Sequence, residues 1–412
     1  MVNIGIDSLA VYTSSYALDL ATLAAARGID AEKYFTGLGQ HVMSVPPPGE
    51  DIVTMAANAA FAAMREIDPA DIDMLLFATE SAFDQSKASG LYVHALLDLP
   101  QRCRTVELKQ ACYGGTAALQ LALPYLRENP TKKILVIASD IARYGLSTPG
   151  ESSQGCGAIA MVLSANPRIA VIEKHSGYVS ESVMDFWRPN YLAEALVEGK
   201  YSSKLYLTML EKTWRDYCEL SGRTYADHDY FCYHAAVPRL VEKAHNSLLK
   251  WSGQTIAEET WMRDINYSLA YGRIIGNSYT ASLYVGLASL LDNAEEDLAG
   301  KRIGFYSYGS GCVAEFFSAV VQPGYRDALL TDFHQTLFAE RTLLTYEQYE
   351  EFYRYTYPED GSSVEMPLYH TGRFRLAKIE GHKRIYDKLA SPQLKLIVNS
   401  HCADVPAQAQ VS

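Results

Sequence analysis

No apolar run in this 412-residue sequence approaches the roughly 18 residues that a membrane-spanning helix needs. Its first residues, Met-Val-Asn-Ile-Gly-Ile-Asp, lack the charged leader and apolar core of a signal peptide. Neither a membrane nor a secretory route is expected, which leaves a cytoplasmic protein as the default. Paired cysteines are missing too: Cys103, Cys112, Cys156, Cys218, Cys232, Cys312 and Cys402 stand singly. An odd number of cysteines, seven, spread over a long chain argues against a disulfide framework and for a reducing compartment. No His/Cys cluster has metal-ligand spacing, so no metal is expected. Positive charge is scarce as well: 36 Lys and Arg against 48 Asp and Glu leave a formal net charge of −12. That balance speaks against nucleic acid and anionic membrane as partners, and a polyanionic ligand would need a local basic patch. The Gly-rich segment Gly150–Gly157 lacks the G-x-G-x-x-G order, and no Lys-Ser/Thr follows it, which disfavours a dinucleotide site or a P-loop.

What is present is an ordinary globular composition, 48% hydrophobic and 20% charged, long enough for one large core or two medium ones. Strand and helix patterns alternate twice over. Asn3–Val11, Met74–Thr79, Lys133–Ser139 and Ala158–Leu163 read as strands, with helices at Asp19–Arg27 and Asp51–Met64. The order restarts after Asn166-Pro167, with strands at Ile169–Glu173, Tyr230–His234, Arg302–Ser307 and Val313–Val321. Helices are expected there at Tyr201–Leu220 and Pro238–Trp251. The pattern predicts a duplicated α/β fold, residues 1–166 forming one half and 167–412 the other. Tyr325–Tyr357 reads as a peripheral aromatic stretch, and the chain from Asp404 onward as frayed.

The most informative stretch runs from Arg104 to Tyr125. It opens as a strand and turns helical after Gly114-Gly115, with Cys112 at the junction. A buried structural cysteine is the bland reading. The free N–H groups and positive end of the coming helix favour a thiolate, which points to a nucleophile. Glu80 closes an apolar strand, as either a helix cap or a site carboxylate, and Ser81 could serve as the cap instead. His234 follows another strand and is either a structural histidine or a catalytic one. The Gly309-Ser310-Gly311 turn follows a fourth. If the strands are largely parallel, all four points share one rim, and Cys, His and carboxylate there make an acyl-transfer set.

Around these residues several segments occur in order: Ala78-Thr-Glu80-Ser, Glu107-Leu-Lys-Gln-Ala-Cys112-Tyr, Ser139-Asp140-Ile-Ala-Arg-Tyr144-Gly and Asp185-Phe-Trp-Arg-Pro189. Gly276-Asn277-Ser-Tyr-Thr-Ala-Ser282 and Ser307-Tyr-Gly-Ser310-Gly follow. Together they resemble the hydroxymethylglutaryl-CoA (HMG-CoA) synthase family of thiolase-fold condensing enzymes, over residues 1 to about 320 and more weakly to Lys388. The resemblance implies a thiolase-like, five-layered α-β-α-β-α fold and a homodimer. It implies that Cys112 takes the acetyl group of acetyl-CoA, Glu80 is the general base and His234 polarises the keto group of acetoacetyl-CoA. It further implies that the Cys112 and Ser310 amides form an oxyanion hole, that Tyr144 and Asn277 line the acyl pocket, and that Asp140 and Asp185 support it. Lys243, with Lys204, is a candidate for the CoA phosphates or an ordinary surface lysine. CoA thioesters would be substrates, with no cofactor. Where the family carries a Pro-Phe pair, this chain has His234-Ala-Ala-Val-Pro238, so the acceptor pocket should differ in shape.

The implied product is 3-hydroxy-3-methylglutaryl-CoA, in the mevalonate pathway. A base at Glu80 separates this reading from the decarboxylating ketoacyl synthases, which need none there. Gly372-Arg-Phe-Arg-Leu-Ala and His382-Lys-Arg-Ile-Tyr resemble instead the β-branching synthases, which act on chains held by an acyl carrier protein in polyketide biosynthesis. A catalytically silent condensing-fold subunit is the remote alternative, and it should have lost the cysteine or the carboxylate.

Overall fold

The computed structural model describes residues 2–389, so the stretch expected to be frayed, from Asp404, lies outside the described residues. Nine strands form the main sheet: β1 (Ile4–Tyr12), β2 (Ile72–Ala78), β3 (Arg104–Leu108), β4 (Lys133–Ala142), β5 (Gly155–Ala165), β6 (Ala170–Ser180), β7 (Tyr230–Tyr233), β8 (Arg302–Gly309) and β9 (Val313–Val321). Their spatial order is β7-β8-β9-β6-β1-β5-β4-β2-β3. Strand β2 runs parallel to β3 and β4, and β7 runs parallel to β8. The remaining neighbours are antiparallel.

Seven helices set the layers: α1 (Ile52–Ala63), α2 (Gly114–Glu128), α3 (Gly199–Ser221), α4 (Pro238–Trp251), α5 (Ser282–Asn293), α6 (Thr331–Ala339) and α7 (Tyr346–Arg354). Alternation along the strands decides which helix each face meets. Leu76 and Val136 from the first half, with Ile303 and Phe305 from the second, pack on Leu119 of α2 and Leu287 of α5. Leu75 and Phe77 face outward onto α1, while Phe231, Tyr306 and Phe316 face α3 and α4. The result is the expected α-β-α-β-α arrangement, with α2 and α5 as its central layer. The two halves are nevertheless one sheet, joined where Gly5 and Ile6 of β1 pair with Val171 and Ala170 of β6. A Cβ on Gly5 would lie 1.9 Å from the Ala170 carbonyl oxygen, so only glycine permits that join.

Helix α1 is built to be buried. Asp51 caps it by accepting from the amides of Val53 and Thr54, and the Thr54 hydroxyl closes the capping box. Small alanines let it pack on several faces at once. One of those faces is covered by the C-terminal part of the chain, which departs from the peripheral role expected of Tyr325–Tyr357. Leu330 and Phe374 join the α1 core, and Leu344, Tyr349 and Phe352 pack on Leu18, Leu20 and Met43. Polar contacts fix the return. His334 Nε2 accepts from the Val11 amide at 2.9 Å. Arg384 and the Tyr386 hydroxyl both reach Asp51, at 3.0 and 2.7 Å. The aromatic run is therefore core for the first half, a relation that local periodicity does not carry.

Phe374 is 1% exposed, so Phe374→Ala should cost about 3–5 kcal/mol through lost burial and a residual cavity. Chemical denaturation would measure it, and a loss below about 1 kcal/mol would mean that the returning segment adds little to the first half.

Candidate active site

Parallel pairing aligns the end of β2 with that of β3, and the end of β7 with that of β8. The five antiparallel pairings between the two groups make the sheet mixed, which corrects the expectation of largely parallel strands sharing one rim. The residues after these strands converge all the same: Cys112, His234 and Ser310 line one cavity, and Glu80 touches Cys112. Cys112 sits on a tight turn. The amides of Tyr113 and Gly114 bond back to the carbonyls of Gln110 and Ala111, and Ala111 adopts φ +42°. That left-handed conformation costs a non-glycine residue of order 1–3 kcal/mol, and it turns Cys112 off the strand direction just before α2. The end of β8 closes on this turn. A Cβ on Gly309 would meet the Gln110 carbonyl oxygen at 2.5 Å and Tyr113 Cβ at 2.6 Å, so the approach requires glycine. Gln110 Nε2 then donates to the Ser310 carbonyl at 3.2 Å.

Cys112 Sγ donates to Glu80 Oε1 at 2.8 Å. Neither Glu80 nor Ser81 caps a helix. Instead the Glu80 amide, the Ser81 amide and the Ser81 hydroxyl all donate to Asp140 Oδ1, at 2.9, 3.0 and 2.5 Å. Thr79 adds a fourth donor at 2.7 Å, while the Thr280 amide and hydroxyl occupy Oδ2. Asp140 therefore fixes the carboxylate turn from behind. Arg188 holds it from the other side, donating to the Glu80 carbonyl at 2.5 Å.

Burial, aided by the Asp140 charge, pushes the Glu80 pKa up to about 8, although the Cys112 hydrogen bond and Arg188 pull it down. Burial first, then the Glu80 charge, pushes the Cys112 thiol well up. The helix end alone favours a thiolate, as the sequence suggests, but the fold corrects that expectation to a resting thiol. Cys112 precedes the helix by two residues and faces a carboxylate in a desolvated pocket, and both effects outweigh the helix end.

His234 lies across the same cavity of about 210 Å³, which Cys112, Tyr144, Asn277 and Ser310 also line. Its Nδ1 is 2.6 Å from the Ser282 hydroxyl, and burial lowers its pKa to about 4, so it is a neutral imidazole at neutral pH. Asn277 Nδ2 donates to the Tyr144 hydroxyl at 2.9 Å. The Tyr144 ring packs edge-on against Phe186 and Tyr279, and burial raises its pKa. Asp185 does not line the cavity. It accepts from Tyr308, Ser202 and the Gly311 amide at 2.6, 3.1 and 2.9 Å, bracing the Ser310 turn. Lys243 is exposed on α4 and is not part of the cavity lining, although Leu240, three residues earlier, is. Lys204 is likewise exposed, on α3. Arg188 and Ser282 lie inside the recognised motifs with no role assigned by sequence, and only the fold reveals their contacts.

A cysteine paired with a carboxylate, facing a histidine across one cavity of this five-layered fold, places the chain among the thiolase-like condensing enzymes. Comparison with known proteins narrows the class. The N-terminal model of hydroxymethylglutaryl-coenzyme A synthase matches residues 1–168 and the C-terminal model residues 248–357. The chain is 39% identical to the hydroxymethylglutaryl-CoA synthase of Enterococcus faecalis, over 93% of this chain and 100% of that one. A crystal structure of HMG-CoA synthase complexed with CoA superposes with a TM-score of 0.89 at 39% identity, covering 94% and 100% of the two chains. The HMG synthase of the curacin biosynthetic pathway, in complex with holo donor-ACP, superposes at 0.87 with 31% identity and the same coverage. The chain belongs to the hydroxymethylglutaryl-CoA synthase family.

An acid whose pKa lies at about 8 when folded, against an ordinary value of 4.5, binds its proton more tightly in the folded state. Stability from Glu80 is therefore lost as pH rises through that interval. Glu80→Gln, which carries no charge, should raise the melting temperature more at about pH 9 than at about pH 5. An equal shift at both would place the Glu80 pKa near its ordinary value.

Proposed function

We propose that the enzyme condenses acetyl-CoA with acetoacetyl-CoA and hydrolyses the resulting enzyme thioester, giving 3-hydroxy-3-methylglutaryl-CoA and CoA for the mevalonate pathway. The observation that carries this is the 2.8 Å contact of Cys112 Sγ with Glu80 Oε1, opposite a neutral His234. Glu80, in its ionised form, takes the Cys112 proton as sulfur attacks the acetyl carbonyl, and passes it to the departing CoA thiolate, which leaves as the thiol. The carboxylate then removes a methyl proton from acetyl-Cys112. The enolate attacks the C3 keto carbon of the acceptor, and the new alkoxide takes the proton back from Glu80. His234 polarises the keto oxygen, a role for neutral imidazole when Nδ1 accepts from Ser282 and Nε2 keeps its proton. In this reading the Cys112 and Ser310 amides supply the oxyanion hole. Water finally cleaves the thioester at Cys112. Side chains carry every step, with CoA thioesters as substrates and no resident cofactor.

Lys243 suits the phosphates of CoA, since it is exposed, has no ion-pair partner among the described residues and lies one turn from Leu240 at the cavity. A homodimer fits the free edge of the sheet. Among the described residues strand β3 has only β2 beside it, and Val106 on it is 47% exposed, an edge that invites pairing with a second copy. The kinship with the curacin-pathway synthase that was captured with its carrier protein supports one other reading, a β-branching synthase acting on a carrier-bound β-ketoacyl chain.

Two variants separate the chemical steps. Cys112→Ala should form no acetyl-enzyme from acetyl-CoA by intact-protein mass, while Glu80→Gln should acetylate slowly and condense at least about 100-fold more slowly. Normal condensation by Glu80→Gln would remove the base role. A head-to-head assay, acetyl-CoA with free acetoacetyl-CoA or with acetoacetyl-carrier protein, identifies the acceptor. Turnover restricted to the carrier arm would overturn the mevalonate assignment.

A further inference from the structure

Behind the catalytic turn lies a second cavity, of about 270 Å³, that shares no lining residue with the first. It forms between the Val45–Pro48 segment, the start of α1, the end of β4 and the aromatic face of α7. Its walls are largely apolar, with Pro47, Ile52, Phe83, Ile141 and Phe352 among them. Five charged side chains interrupt them.

Glu50 is one of these, 2% exposed, and neither of its carboxylate oxygens has a hydrogen-bond partner among the described residues. A buried carboxyl left in that state is costly unless something else meets it. Asp51 and Arg384 neutralise each other at 3.0 Å. The last two, Arg143 and Arg188, form no ion pair among the described residues. Arg143 lies over the Tyr353 ring at 4.2 Å and donates to the Tyr353 carbonyl. Arg188 donates to the Glu80 carbonyl. Each guanidinium carries five N–H donors, so most of both forks remains for a ligand. Burial pushes the Glu50 pKa up to about 8. The nearby Ser14 hydroxyl pulls the other way but makes no good hydrogen bond with the carboxyl. At neutral pH Glu50 is thus mainly a neutral acid, a donor, and the lining carries an excess of two positive charges.

We infer that this second cavity binds a short aliphatic carboxylate, whose oxygens meet Arg143, Arg188 and Glu50 and whose chain lies against the proline and aromatic walls. Guanidinium forks match carboxylate geometry, and a carboxylic acid beside them supplies the remaining donor. An inorganic anion satisfies the arginines but leaves the apolar walls uncovered, and a neutral amide loses the charge. Because Arg188 also holds the Glu80 backbone, the occupant sits one residue away from the catalytic turn.

Calorimetric titration of the full chain with butyrate, butanamide and inorganic phosphate tests this. Butyrate should bind at one site, with butanamide and phosphate at least about tenfold weaker. Arg143→Gln should weaken butyrate by a similar factor and Arg143→Lys should partly restore it, whereas His234→Asn, in the other cavity, should leave it unchanged. No butyrate binding, equal binding of butanamide, tighter binding of phosphate, or loss in His234→Asn without loss in Arg143→Gln would each overturn the assignment. Where Arg143→Gln does not fold, the three ligands compared on the unmodified protein decide alone.

Discussion

A single buried carboxylate, Asp140, holds the active site in shape. Its two oxygens accept from six donors, on Thr79, Glu80, Ser81 and Thr280. Three of those residues directly follow β2 and include the base. The fourth lies two positions before Ser282, which positions His234. The base on one half of the sheet and the histidine on the other are thus tied to the same two oxygens. Charge-assisted hydrogen bonds are each worth about 1.5–3 kcal/mol net, yet burial still raises the Asp140 pKa. So many donors on one anion are what hold a charge where water cannot.

Desolvation sets the protonation of everything nearby. Burial raises Glu80, Cys112, Tyr144 and Tyr279 and lowers His234, so each group is biased toward its neutral form. Proton transfers between such partners do not have to create a large separation of charge in an apolar pocket. Supporting contacts do the aligning: Asn277 on Tyr144, Ser282 on His234 and Arg188 on the Glu80 backbone.

Much of this is legible in the sequence. Met74–Thr79 and Lys133–Ser139 are apolar enough to read as strands covered on both faces, and they are. Val313–Val321 and Pro238–Trp251 form the strand and helix expected, to the residue. Polar residues that follow a strand directly stand out, and this reveals Glu80, Cys112, His234 and Ser310. What stays hidden depends on distance in sequence. Joining of the halves through Gly5 and Ala170 leaves no local pattern, and neither does the reach of Arg188 to a carbonyl 108 residues earlier. The thiolate expectation for Cys112 rests on a helix end that sequence shows, against burial and a facing carboxylate that it does not. Tyr325–Tyr357 reads as peripheral because aromatic residues at helical spacing do not say which surface they will cover.

The return of the chain end to its beginning has a consequence for how the molecule is made. Asp51 starts α1, but its partners Arg384 and Tyr386 lie more than 330 residues later, and Phe374 completes the same core. A ribosome delivers the first half long before these residues exist. Until they arrive, one face of α1 stays wet and its cap lacks a counter-charge. Contacts this distant in sequence carry a large loop-closure cost and form late. The domain that begins the protein is thus among the last parts to be finished, and the nascent chain carries an exposed alanine-rich helix through most of its synthesis.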